Sequence, residues 1–117
     1  MIVQPPRPGD RVLIFKPQWL QLILSGEKTL EVRAAPYKSG IYYFGSRGQI
    51  YGMAKLGRAY PLHSMRDFER ARKMHRMKCI GLPYQKTYGI PILEFKEIFA
   101  RYQHPRGAIT IVKYRGA

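Results

Sequence analysis

Acidic residues are scarce in this chain. Seven Asp and Glu stand against 21 Lys and Arg, giving a formal net charge of +14 over 117 residues. Cysteine is nearly absent. The single Cys79 excludes an internal disulfide and a cysteine-rich zinc site. The three histidines, His63, His75 and His104, are far apart and lack metal-ligand spacing, so neither a metal nor a cofactor is expected. No apolar run approaches the ~20 residues of a membrane span; Trp19 to Leu24 is already broken by Gln21. An apolar signal core is missing from the N-terminus, so a cytoplasmic protein without a membrane partner is expected. Repeats, low-complexity tracts and a phosphate-binding glycine loop are also missing; Gly45 to Gly48 reads as a turn.

What remains is enough to build a core. Hydrophobic residues make up 45% of the chain and aromatics 13%. The length fits one domain, residues 1–117, with residues 1–10 as an extended arm because of Pro5, Pro6 and Pro8. Val12 to Phe15 reads as a strand. Pro17 suits a first helical turn, and Gly26 suits the cap that ends that helix. Thr29 to Arg33 alternates as a strand, with Leu30 and Val32 on one face and Thr29, Glu31 and Arg33 on the other. Ile41 to Phe44 and Gln49 to Leu56 read as strands around a turn. Ser64 and Asp67 open a helix predicted to run from Met65 to Lys78. Tyr88 to Ile98 reads as a strand with an irregular or edge portion at Pro91. Ala108 to Tyr114 is the last expected strand. The fold class is α+β: a small barrel or curved sheet with two main helices packed at its ends.

Lys16-Pro17-x-Trp19, followed by Gly26-Glu27-Lys28-Thr29-Leu30-Glu31-Val32-Arg33, resembles the ASCH domain family of the PUA-like superfamily. Gly40 to Phe44, Gln49 to Leu56 and Tyr88 to Phe99 are similar to its later strands. The resemblance implies a PUA-like β-barrel, a cleft beside the Lys-Thr-x-Glu-x-Arg strand, and RNA or nucleotide handling. Some small members are similar to amidohydrolases of N4-acetylcytidine. In those relatives the lysine of the Lys-Thr pair is catalytic, matching Lys28, and a threonine two positions after the motif threonine is the nucleophile. Glu31 occupies that position here, so the sequence departs from the pattern at the nucleophile.

A polyanionic partner is the usual reason for so lopsided a charge, and nucleic acid is the expected one, RNA before DNA. The recognition residues are read as Lys28, Glu31 and Arg33, a carboxylate between two donors that can meet a base edge or phosphate, with Trp19 and Tyr51 as aromatic neighbours. Lys55, Arg58, Arg66, Arg70, Lys73 and Arg76 are read as the phosphate-facing surface. Arg66, Arg70, Arg72, Lys73 and Arg76 share one arc of the predicted helix, while Phe68, Ala71 and His75 lie roughly opposite and suit docking. The first alternative is a hydrolase acting on modified cytidine or RNA, with Lys28, Thr29 and Glu31 as its catalytic set. The second is a basic regulator that binds an acidic protein. A monomer or weak dimer is expected.

Overall fold

The computed structural model describes residues 1–117. Its chain order is β1 (Arg11–Ile14), α1 (Pro17–Leu24), β2 (Leu30–Arg33), β3 (Gly40–Ser46), β4 (Gln49–Leu56), β5 (Tyr60–Pro61), α2 (Met65–Arg70), α3 (Arg72–His75), β6 (Tyr88–Arg101) and β7 (Ile111–Lys113). The strands form one curled seven-stranded sheet in the order β2-β6-β4-β3-β1-β7, with β5 pairing β6 off that path. This is a mixed α+β half-barrel, in line with the expected small PUA-like barrel. No helix is long and apolar enough to cross a membrane.

Both faces of the sheet are covered. In β1, Leu13 points into one core with Phe15, Leu20, Tyr42, Phe44 and Leu56, while Val12 and Ile14 point into a second with Tyr43, Met53 and Tyr102. In a strand with one solvated face, only one parity of Ile41 to Phe44 would be buried. Instead Tyr42, Tyr43 and Phe44 are all buried, because the chain termini cover the far face. The N-terminal arm contributes to that cover: the Tyr43 hydroxyl donates to the Gln4 carbonyl at 2.8 Å, and Gly9 N–H donates to the Tyr114 carbonyl at 2.9 Å.

Two predicted elements differ from their expected form. The stretch from Met65 to Lys78 is not one helix. Ser64 caps α2 by accepting from Asp67 N–H at 3.2 Å, but the helix stops at Arg70, and α3 ends with Arg76 in the left-handed region at φ 61°. The Arg72 side chain draws the chain back by donating to the Met77 and Cys79 carbonyls. The cationic arc predicted for one long helix is therefore divided between two short ones. The strand from Tyr88 is also longer and more central than expected. Tyr88–Pro91 pairs with β2, and Ile92–Arg101 pairs with β4. Pro91, which lacks an N–H, falls where the strand changes partner and its register shifts against β4, so no ladder bond is lost.

Candidate functional site

The site is built where α1 hands the chain to β2. Ser25 caps α1 by donating its backbone N–H to the Gln21 carbonyl at 3.0 Å. Gly26 then takes φ 82°, which reverses the chain with no side-chain clash. Lys28 N–H reaches back to the Leu22 carbonyl at 2.9 Å, and Thr29 N–H reaches the Met74 carbonyl of α3 at 2.9 Å. Lys28 is thereby turned under the helix instead of out to solvent.

β2 places its polar parity inward. Val32 packs outward against Leu62 and Phe68 beneath α2, which leaves Glu31 and Arg33 facing the side of the first core. Lys28, Glu31 and Arg33 are 2%, 4% and 9% exposed. Glu31 Oε1 accepts from Val32 N–H at 3.0 Å and lies 3.4 Å from Lys28 Nζ; its Oε2 accepts from Arg33 Nε at 2.7 Å. Lys28 Nζ also donates to the His75 carbonyl at 2.7 Å and stands 5.2 Å from the centre of the Trp19 ring. Arg33 Nη2 donates to the Ile14 carbonyl at 2.7 Å, with its guanidinium carbon 4.9 Å from the Phe15 ring centre. Arg33 thus joins the terminal strand β2 to β1, drawing the curled sheet together across its open side.

Burial governs the electrostatics. Lys28 is held below the usual lysine range by desolvation, which the adjacent Glu31 carboxylate partly offsets. His75 is fully buried, and desolvation likewise lowers its pKa. Its ring stacks on Phe68 with centroids 4.1 Å apart. His75 Nδ1 accepts from Met77 N–H at 2.9 Å, so Nε2 carries the proton and donates to the Phe68 carbonyl at 2.8 Å. This neutral imidazole stiffens the loop whose backbone carbonyl binds Lys28.

Of the residues singled out in the sequence, Lys28, Glu31, Arg33 and Trp19 come together here. Thr29 is adjacent but exposed, and its carbonyl accepts from Ile92 N–H at 2.9 Å. Tyr51 stands apart, near the other end of β4, where it meets Phe99 edge-on with centroids 6.1 Å apart. Lys55 and Arg58 are exposed near the end of β4 that pairs with Ile92 of β6. Arg66, Arg70 and Lys73 are exposed on α2 and α3, and Arg70 lines a recess of about 290 Å³ with Tyr60 and Met74. Arg76 is exposed and donates to the Glu27 carbonyl at 3.3 Å, which ties α3 to the loop bearing Lys28. Arg72, from the predicted cationic arc, is instead paired with Glu69, which depresses the glutamate's pKa and raises its own.

Sequence reasoning did not place His75, Phe15 and the Ile14 carbonyl at the site. Only His75 carried a signal, through its position opposite the cationic arc beside Phe68 and Ala71.

No family model matches this chain, and no curated protein matches it. Solved structures do. An ASCH protein from Zymomonas mobilis superposes with a TM-score of 0.70 at 15% identity, over 92% of this chain and 88% of that one. A serine-to-alanine variant of the Zymomonas mobilis protein gives 0.71 at 14% identity, over 95% and 92%. Together with the half-barrel and its three helices, these matches show that the chain has an ASCH-like fold.

Proposed function

We propose that this protein is an RNA-binding domain. One observation carries the reading: of 21 Lys and Arg residues, only Lys28, Arg33 and Arg72 are in ion pairs, and the remaining eighteen have no acidic partner. So many unneutralised cations on a small globule repel one another unless a polyanion lies against them. Arg66, Arg70 and Lys73 on α2 and α3, together with Lys55 and Arg58, supply phosphate contacts. The Lys28–Glu31–Arg33 network is itself buried, so a nucleotide would be distinguished beside it, at the half-buried Trp19. RNA is favoured over DNA by the resemblance of the Gly26–Arg33 block and by the ASCH-like fold.

The test is affinity for a labelled single-stranded oligoribonucleotide across a range of salt. Each phosphate contact contributes about −0.7 to the log–log slope for a single strand, so these five contacts predict a slope of about −3.5. Binding with a slope near zero, or no binding at low salt, overturns the reading.

A second reading, a hydrolase acting on N4-acetylcytidine, is favoured by the depressed pKa of Lys28 beside a carboxylate. A lysine with a lowered pKa is a better base or nucleophile near neutral pH. Turnover that is lost in a folded Lys28→Met variant supports it. No turnover by the unaltered protein overturns it.

A further inference from the structure

The chain has a second group of unpaired positive charge, beside β7 and the C-terminal segment. After β6, Tyr102 is buried in the second core, and the following residues run alongside β7 and the C-terminal segment. Between them lies an open groove of about 510 Å³, lined by Gln103, His104, Pro105, Val112, Lys113 and Arg115. No acidic residue lines it. Lys113 and Arg115 are exposed, and neither is in an ion pair.

The walls of this groove are held by the backbone and by buried anchors. Val112 pairs with Val12 and Lys113 with Arg11 in the β1–β7 ladder, and Tyr114 N–H donates to the Asp10 carbonyl at 2.7 Å. On the other side, Tyr102 N–H donates to the Gly48 carbonyl at 2.9 Å, and its hydroxyl is hydrogen-bonded to His104 Nδ1 at 2.8 Å. Gln103 N–H donates to the Gly116 carbonyl at 3.0 Å, and Gln103 Nε2 donates to the Ala117 carbonyl at 3.3 Å, closing one end. A fixed concave surface lined by charge of one sign focuses its field, which a flat lysine-bearing face does not.

We propose that this groove is a phosphate-binding site that takes a phosphodiester of the bound RNA strand. Lys113 and Arg115 supply the charge, and His104 supplies a further polar group at the rim. The inference rests on the RNA-binding reading and extends it. The groove shares no lining residue with the Lys28 network or with the recess at Arg70, so the strand would contact the protein at a second place.

The test uses the full chain, the Lys113→Ala/Arg115→Ala variant, and a labelled single-stranded uridine oligonucleotide of roughly 12 residues, within the span small single-strand sites cover. Loss of this one phosphate contact should reduce the magnitude of the salt slope by about 0.7. Affinity at low salt should fall about tenfold, equally for uridine-rich and adenosine-rich strands, because phosphate contacts carry no base information. Both residues are exposed, so the melting temperature should stay within a few degrees; the Lys113→Gln/Arg115→Gln pair replaces the alanine pair if it does not.

If the unaltered protein binds RNA steeply with salt and the double variant keeps both slope and affinity, the groove proposal fails while the RNA reading stands. If the unaltered protein does not bind RNA, both fail. A parallel titration with inorganic phosphate, read at the amides of Gln103, His104 and Lys113, separates the two sources of phosphate. Saturation there, combined with unaltered RNA binding by the double variant, identifies a site for free phosphate and overturns the strand contact.

Discussion

Replacing Glu31 with Gln tests the geometry of the buried network most directly. Both carboxylate oxygens are used as acceptors: Oε1 faces Val32 N–H at 3.0 Å and Lys28 Nζ at 3.4 Å, and Oε2 faces Arg33 Nε at 2.7 Å. Glutamine has nearly the same shape but only one acceptor oxygen. Its amide nitrogen must therefore point at a donor whichever way it turns. The change also leaves two buried cations with no compensating charge. Lys28 retains the His75 carbonyl and Arg33 retains the Ile14 carbonyl, which orient them without neutralising them. Breaking a buried pair in this way costs about 3–5 kcal/mol, a large share of the roughly 5–15 kcal/mol that stabilises a domain. At roughly 4 °C per kcal/mol for a chain of this size, the melting temperature should drop by about 12–20 °C. Lys28→Met should cost less, because the Glu31–Arg33 pair survives it. The assay is thermal unfolding followed by circular dichroism, repeated at high salt. Screening does not reach charges this buried, so the deficit should persist there. A Glu31→Gln protein melting within about 3 °C of the unaltered one, roughly the effect of a weak surface pair, would refute the reasoning.

His75 gives a pH prediction. Burial lowers its folded pKa, so below the ordinary histidine value of about 6.5 the unfolded chain takes up a proton that the folded one refuses. Stability should therefore fall as pH drops from about 6.5 toward the lowered folded value, by up to about 1.4 kcal/mol per unit. Urea unfolding at pH 7.5, 6.5 and 5.5 measures this; a His75→Gln variant should lose the dependence in that window. At Gly52, a Cβ would fall 2.1 Å from Phe95 Cζ, and the Phe95 ring is packed on Phe44 at 5.6 Å. Gly52→Ala should cost about 1–3 kcal/mol through overpacking, seen as a lower urea midpoint with an unchanged slope. Ser64→Ala removes the cap on Asp67 N–H and should cost about 1 kcal/mol by the same assay.

Much of the fold was legible because its signals are local. Pro17 and Gly26 bound α1, and the strands Gly40–Ser46 and Gln49–Leu56 follow from their alternation and the turn between them. The break at Ala71 was not legible. No Gly or Pro interrupts residues 65–78, and the end of α3 is fixed only after folding, by Arg72 bonds to the Met77 and Cys79 carbonyls. Pro91 misled for a related reason. A proline demotes a strand only if its N–H is needed, and here the pairing partner changes at that residue. At the site, the grouping of Lys28, Glu31 and Arg33 could be read from the motif, but their burial could not. The alternation in β2 marks two faces without saying which turns inward. That is decided by Phe68 and Leu62 covering Val32 from outside, a contact across more than twenty residues of sequence.

The charge of this protein therefore divides into two populations that respond to different variables. Lys28 and Arg33 are held by Glu31 and by backbone carbonyls, shielded from salt, and they govern stability and the closing of the sheet between β2 and β1. The exposed cations, Arg66, Arg70 and Lys73 on one side and Lys113 and Arg115 on the other, contribute no ion pair to the fold. Their mutual repulsion is relieved by salt, so raising the ionic strength should stabilise the free protein while weakening its hold on RNA. A purely structural role for these residues would produce the first effect without the second. Opposite responses of melting temperature and affinity, measured in the same buffers, would assign the surface charge to the partner and the buried charge to the fold.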